Sequence, residues 1–312
     1  MRKDAKSEPV SKRVTVRLCS GLGNQLFQFV CGLAQSRRWQ TPLSFDTTWY
    51  ELIARMHTPL RDLRLGKMGL LVHEAFKGWP RWGVGLAAAA FDRTYRGRAF
   101  LEMIGKMTVI QETKPLRRQR WPDQAPANHV YLNGYWQTAD HFLSVQDEMQ
   151  RMIHPTAPLS SDADALIAKA STINTGFIHV RRGDYIHFMG DTGLLPVGYY
   201  SRSFSAMQGL GKNINRWMIF SEDAAWAQAN LSFIPNAEII DYGSPNRDIE
   251  DLMIMKSCSA GIIANSSYSW WGAALGDRSD RPIITPDRYW KDSGWDSQGW
   301  ALPEWIRVKA WD

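Results

Sequence analysis

A chain of 312 residues is long enough for about two domains, each with its own core. With 44% hydrophobic and 22% charged residues it reads as an ordinary soluble globular protein, not as a low-complexity or membrane-spanning chain. Thirty-seven basic against 31 acidic residues leave a net charge of +6, which suits an anionic ligand or an anionic membrane surface and leaves nucleic acid open.

Residues 1–12 are polar and charged and read as a disordered N-terminus, with no signal peptide visible. Val14 to Cys19 alternates like a strand, and Gly21-Leu-Gly-Asn-Gln25 breaks it. Leu26, Phe27, Val30, Leu33 and Ala34 then recur at helical spacing. This strand, glycine loop and helix open a Rossmann-like half. Residues 40–130 resist assignment; their best apolar stretch, Val84 to Phe91, is far shorter than the ~20 residues a membrane span needs. The basic knots Ser11-Lys12-Arg13 and Arg117-Arg118-Gln119-Arg120 read as solvated surface first and as lipid-headgroup contacts second. His129 to Gln137 forms a strand running into a polar, aromatic loop.

His154 to Ser160 is the linker candidate, giving domains at 13–158 and 159–312. Ser160 or Ser161 caps a helix from about Asp162 to Ala170. Strands follow at 176–180, 216–220, 237–241, 260–264 and 282–285, separated by helices at 222–230, 247–258 and 267–275. That alternation implies a mostly parallel sheet and an α/β chain of two Rossmann-like domains facing a cleft. Cys19, Cys31 and Cys258 have no ligand-like spacing and read as small core residues in a reducing cytoplasm.

The chemistry concentrates at two strand ends. Thr175-Gly-Phe-Ile-His-Val ends in Arg181-Arg182-Gly183-Asp184-Tyr185. Two guanidiniums there are either a diphosphate clamp, whose rigid donor forks match phosphate oxygens, or surface arginines satisfied by Asp184. Ala260-Gly-Ile-Ile-Ala-Asn265-Ser266-Ser267 delivers small polar residues to a helix start, where free N–H groups and hydroxyls form a phosphate seat or a plain N-cap. Both loops follow strands of one parallel sheet, so both can serve one ligand. Arg247 to Cys258 is an amphipathic helix; Asp248 and Glu250 complement its dipole, and Asp251 can accept from guanine N1–H and its 2-amino group. The Gly21–Gln25 loop fits neither nucleotide-binding glycine fingerprint, and no residue cluster has metal-ligand spacing. Neither a metal nor another cofactor is expected.

Taken together, Gly21-Leu-Gly-Asn-Gln-Leu-Phe-Gln, Leu132-Asn-Gly-Tyr-Trp-Gln137, His179-Val-Arg-Arg-Gly-Asp-Tyr and Asn265-Ser-Ser-Tyr-Ser-Trp-Trp-Gly-Ala-Ala-Leu275 resemble the α-1,2-fucosyltransferases of glycosyltransferase family 11, from about residue 14 to about 290. The resemblance implies a GT-B-like fold and metal-independent, inverting transfer of L-fucose from GDP-β-L-fucose to O2 of a terminal β-galactoside. The acceptor would be a galactose-terminated glycan or a lipid-linked oligosaccharide. Animal members carry an N-terminal anchor; its absence here resembles the bacterial branch that builds surface polysaccharide. A cytoplasmic protein, peripheral at most on the inner face of an anionic membrane, is the corresponding expectation.

By the same resemblance, Arg181 binds the donor β-phosphate with Arg182 in support, His179 lies by the nucleoside, and the C-terminal domain holds the donor. Asp251, Asn265, Ser266 and Ser267 join the donor set through a spacing similar to other fucosyltransferases. Gly23 and Asn24 resemble a loop near the fucose in protein O-fucosyltransferases; with Gln25, Tyr135 and Trp136 they fall on the acceptor side, in the N-terminal domain. For the general base, Asp184, His187 and Asp191 lie just past the arginines, Asp184 being foremost the partner of Arg182; where other fucosyltransferases place a glutamate, this chain has Met189. Arg181, Asp184 and Asn24 are the catalytic set. Competing readings are a different linkage (α-1,6 or O-fucosyl), an RNA- or polyanion-binding protein, and an inactive sugar-binding module. Without a basic stripe or RNA motif, no nucleic-acid partner is expected.

Overall fold

The computed structural model describes residues 12–52, 61–76, 107–112, 116–188, 193–276, 280–291 and 299–312. The expected disorder of residues 1–11, the apolar stretch Val84–Phe91, Met189 and Asp191 lie outside the described residues. The chain divides into two compact units: Met1–Gly66 with Leu70–Met152, and Lys67–Gly69 with Ile153–Asp312. The division falls at Met152/Ile153 rather than after Pro158, because the would-be linker is bound into the C-terminal unit. The amides of His154 and Thr156 donate to the carbonyls of Met68 (3.1 Å) and Lys67 (3.0 Å). Lys67 Nζ donates to Asn246 Oδ1 at 3.1 Å.

In the N-terminal unit, β1 (Arg13–Arg17), β2 (Leu43–Asp46), β3 (Thr108–Gln111) and β4 (His129–Asn133) form a parallel sheet in the order β2-β1-β4-β3. β2 and β3 come from the stretch that the sequence pattern left unassigned. Helix α1 (Leu22–Trp39) follows β1 and is buried on most of its surface. Gly32 allows its approach to the sheet: a Cβ there would stand 2.6 Å from Val16 Cγ2. Leu26, Phe27 and Val30 are fully covered, each worth about 1.5–3 kcal/mol of burial.

The C-terminal unit holds β5 (Thr175–Val180), β6 (Arg216–Ser221), β7 (Ala237–Ile239), β8 (Ala260–Ile262), β9 (Ile283–Pro286) and β10 (Ile306–Val308), all parallel, in the order β10-β9-β8-β5-β6-β7. Every residue of β5 is buried, as expected for a central parallel strand covered on both faces. The helices used below are α2 (Ser161–Thr172), α3 (Val197–Gly209), α4 (Ala224–Asn230), α5 (Arg247–Ser257) and α6 (Ser267–Ala274). The two-domain, Rossmann-like α/β class expected of a GT-B-like chain is therefore present. Strand β10 and helix α3 are additions to the expected elements.

Ser160 caps α2, accepting from the Ala163 amide at 3.3 Å. Glu250, read as an acid that complements the helix dipole, lies in the first turn of α5, is buried, and accepts from the Ser160 amide (2.9 Å) and hydroxyl (3.0 Å). Helices α5 and α6 meet closely at Gly272, where a Cβ would lie 2.9 Å from Met255 Cβ. Arg281 is buried and caps both helices, donating to the carbonyls of Met255, Gly272 (3.3 Å) and Ala273 (3.0 Å). Its guanidinium also lies 5.2 Å from the Phe177 ring centroid. Trp270 and Trp271 are fully buried, so the Ser-Trp-Trp-Gly block is core.

Candidate active site

Strands β5 and β8 are neighbours, with Ile178 opposite Ile262, so the loops that leave their carboxyl ends emerge side by side. The Tyr185 hydroxyl donates to the Asn265 carbonyl at 3.3 Å, and the His179 and Tyr268 rings lie 5.7 Å apart. Arg181 and the start of α6 are thereby brought to one edge of one sheet.

Strand β6 lies on the other side of β5, with Ser221 opposite Val180. Glu222 and Asp223 consequently emerge beside Arg181 and Arg182. Arg181 donates from Nη1 to Glu222 and from Nη2 to Asp184, and its guanidinium sits 5.1 Å from the Tyr185 ring centroid. Arg182 Nε donates to Asp223 at 3.0 Å, and its guanidinium stacks 4.4 Å over Trp226. Asp223 also caps α4, accepting from the Trp226 amide at 3.0 Å. That amide and then Arg182 outweigh the cost of desolvation and hold its carboxyl below the usual range. The expected pairing of Asp184 with Arg182 is corrected: Asp184 pairs with Arg181, because β6 delivers Asp223 to Arg182. Glu222 and Asp223 were missed; acids immediately after a strand beside the arginine strand were the available signal.

His179 is buried, and its Nδ1 has no hydrogen-bond partner among the described residues. Burial, then the charge of Arg181, lowers its pKa to about 3, so the imidazole is neutral. Asn265 is fully buried, and its amide donates to the carbonyls of Gly193 and Tyr289, both at 2.8 Å. It ties the loop down, while its Oδ1 has no partner among the described residues. Ser266 is the N-cap of α6, accepting from the Tyr268 amide at 3.3 Å, and Ser267 opens the helix. Asp251 on α5 accepts from the Tyr242 hydroxyl (2.9 Å) and from Arg247 Nε (3.4 Å). Burial raises its pKa to about 6 against the lowering effect of those two partners.

In the N-terminal unit, Gly23, Asn24 and Gln25 belong to the first turn of α1, which starts at Leu22, rather than to an open loop. Asn24 donates to Ser20 Oγ (2.9 Å) and accepts from Gln137 Nε2. Gln25 is corrected from a sugar contact to a core residue. It is fully buried, donates to the carbonyls of Ser20 (3.1 Å) and Asp62 (2.8 Å), and accepts from the Arg64 amide (2.8 Å). Tyr135 is 44% exposed, two residues beyond the end of β4. Trp136 is 1% exposed and packs on Trp121 at 5.4 Å, so its expected place on the acceptor side is likewise corrected to core. Glu112, unnoticed in the sequence, accepts from the amides of Tyr135 (2.7 Å) and Trp136 (3.1 Å) and so fixes this turn. Cys19 is only half-buried, unlike Cys31 and Cys258; it accepts from Gln28 Nε2 at 3.1 Å.

Among the described residues no cluster of three His, Cys, Asp or Glu could hold a metal ion, and no helix is long and apolar enough to cross a membrane. Residues 120–309 match the family described as Glycosyl transferase family 11. The chain is 25% identical over 309 residues to the O-antigen biosynthesis glycosyltransferase WbnK of Escherichia coli, covering 93% of this chain and 99% of that protein. It is 24% identical over 317 residues to an α-1,2-colitosyltransferase of Escherichia coli, covering 95% and 99%. The fold is similar to that of the NodZ α-1,6-fucosyltransferase co-crystallised with GDP, with a TM-score of 0.50 and 14% identity, over 89% of this chain and 95% of that one.

Proposed function

Because the chain belongs to glycosyl transferase family 11, we propose that this glycosyltransferase moves L-fucose from GDP-β-L-fucose to O2 of a terminal β-galactoside, with inversion and without a metal. The observation that carries the reading is the convergence of Arg181 and the α6 N-terminus at the carboxyl ends of adjacent strands, joined by Tyr185 and Asn265. As the glycosidic bond to phosphate breaks, the sugar gains positive charge and the diphosphate negative charge. Arg181 and the amides that open α6 at Ser266 and Ser267 stabilise that leaving group. Asp251 accepts from guanine, and neutral His179 lies by the nucleoside without adding charge. Arg182, engaged with Asp223 and Trp226, holds the loop that aims Arg181. In the N-terminal unit, Tyr135 and the Asn24 network serve the acceptor.

Two relatives support the finer points. One acts in O-antigen biosynthesis, which favours a surface-polysaccharide acceptor, either a galactose-terminated glycan or a lipid-linked oligosaccharide. The other forms an α-1,2 linkage, which favours O2 as the nucleophile. That relative also motivates a second reading: the same site with a colitosyl donor. A cytoplasmic enzyme in peripheral contact with an anionic membrane would meet such an acceptor.

The test is GDP release by the purified protein from GDP-fucose in EDTA, with and without lactose or Gal-β-1,3-GalNAc. Acceptor-dependent release with an α-1,2 product is the expected result. GDP binding without release from GDP-fucose would direct attention to the colitosyl donor. An absence of GDP binding would remove the reading.

A further inference from the structure

Arg181 has both terminal nitrogens engaged by carboxylates, Nη1 by Glu222 and Nη2 by Asp184. Around the loop stand two cations, Arg181 and Arg182, and three carboxylates, Asp184, Glu222 and Asp223. A diphosphate would bring at least two further negative charges, and it needs two N–H groups of one guanidinium edge for a bidentate grip. Glu222 and Asp184 therefore compete with it for the donors of Arg181.

The three acids are not equally held. Asp223 is committed to both Arg182 and the α4 cap. Asp184 lies on the same turn as Arg181, three residues on, and is 19% exposed. Glu222 is 41% exposed, has the longest side chain of the three, and reaches Arg181 from the neighbouring strand. It lies over Gly183, where a Cβ would stand 3.3 Å from the Glu222 carboxyl carbon. A glycine there leaves Glu222 the space it occupies, and among the described residues its hydrogen-bond partner is Arg181.

We infer that Glu222 occupies the diphosphate position on Arg181 in the free enzyme and is displaced when the donor binds. It is a positioning residue: it keeps Arg181 extended between turnovers and competes with the incoming anion. The inference rests on the donor reading above and makes a prediction of opposite sign to that of a purely structural residue. Glu222→Gln keeps the shape and a hydrogen-bond acceptor but removes the charge. Calorimetric titration with GDP, and separately with inorganic pyrophosphate, should show binding about 3–10-fold tighter than wild type at low salt. The gain should shrink as salt is added. Glu222→Asp, which keeps the charge but shortens the reach, should fall between the two.

Equal or weaker anion binding by a folded Glu222→Gln overturns the inference, as does Glu222→Asp binding more weakly than wild type. Wild-type binding of pyrophosphate but not GDP overturns the nucleotide reading instead, and the pyrophosphate series still decides the role of Glu222. If neither wild type nor Glu222→Gln binds either ligand, both fall.

Discussion

Arg181 and Arg182 are adjacent in sequence yet stand in different environments, and substitution should separate them. A charged hydrogen bond from Arg181 to a phosphate oxygen is worth about 1.5–3 kcal/mol. Lost from the leaving group, such contacts correspond to on the order of 10²–10³ or more in rate. Arg181→Ala should therefore be nearly inactive while its melting temperature stays close to wild type; retention of activity within a few-fold would remove the clamp assignment. Asp251 should reveal itself through pH. Its pKa is raised to about 6, so the ionised acceptor is present above pH 6 and lost as pH falls through it. GDP affinity should then be level above pH 6 and fall by up to about tenfold per unit below. Asp251→Asn should bind more weakly at pH 8 and show no such slope. A wild-type profile that stays flat from pH 5 to 8 would exclude Asp251 as the guanine acceptor.

At the scale of elements, the pairing of α5 with α6 fixes the helix start that the site uses. The Cβ introduced by Gly272→Ala meets Met255 Cβ at 2.9 Å, an atom that cannot swing aside. Overpacking of this kind costs about 1–3 kcal/mol, visible as a melting temperature lowered by several degrees and a weaker grip on GDP; an unchanged melting curve would mean that the two helices can slide apart. This contact was not legible in the sequence, because the Gly272 signal depends on which residue of α5 lies opposite. The strands around the arginine motif were legible for the reverse reason: buried parallel strands are continuous apolar runs, and glycine or charge ends them abruptly. Gln25 and Trp136 misled because a polar or aromatic residue near a loop has the same appearance whether it faces a ligand or satisfies the backbone. Only the carbonyls of Ser20 and Asp62, and the Trp121 ring, distinguish the cases.

For the molecule as a whole, acid is the informative perturbant. His179 in the C-terminal unit and His141 in the N-terminal unit are buried and neutral, with pKa values lowered by burial to about 3 and about 4 from 6.5. Their folded-state values are depressed, so the stability they contribute is complete above pH 6.5 and drains as pH falls toward those values. The slope is about 1.4 kcal/mol per pH unit for each. Asp251 has the opposite sign: its raised pKa returns stability as pH falls from about 6 toward 3.8. Glu112, raised by burial, adds a second gain, while Glu148, Glu250 and Asp223 are lowered and add losses at more acid pH. The decline prevails, so melting temperatures should drop between pH 6.5 and 4. His141→Gln should flatten that decline; an identical pH slope in the variant would show that His141 becomes charged without unfolding the protein.

The three residues Lys67–Gly69 belong to the C-terminal unit although most of that unit lies far downstream. Lys67 meets Asn246 179 positions later in the chain. At about 5–20 residues per second, a ribosome needs on the order of ten to forty seconds to supply that partner. The N-terminal unit is thus made in full before Lys67–Gly69 meets Asn246, and neither half can be released from the gene by a single cut. Order of synthesis and order of assembly part company at this strap: it is made early, and its contact with Asn246 forms only after all of the N-terminal unit has been made.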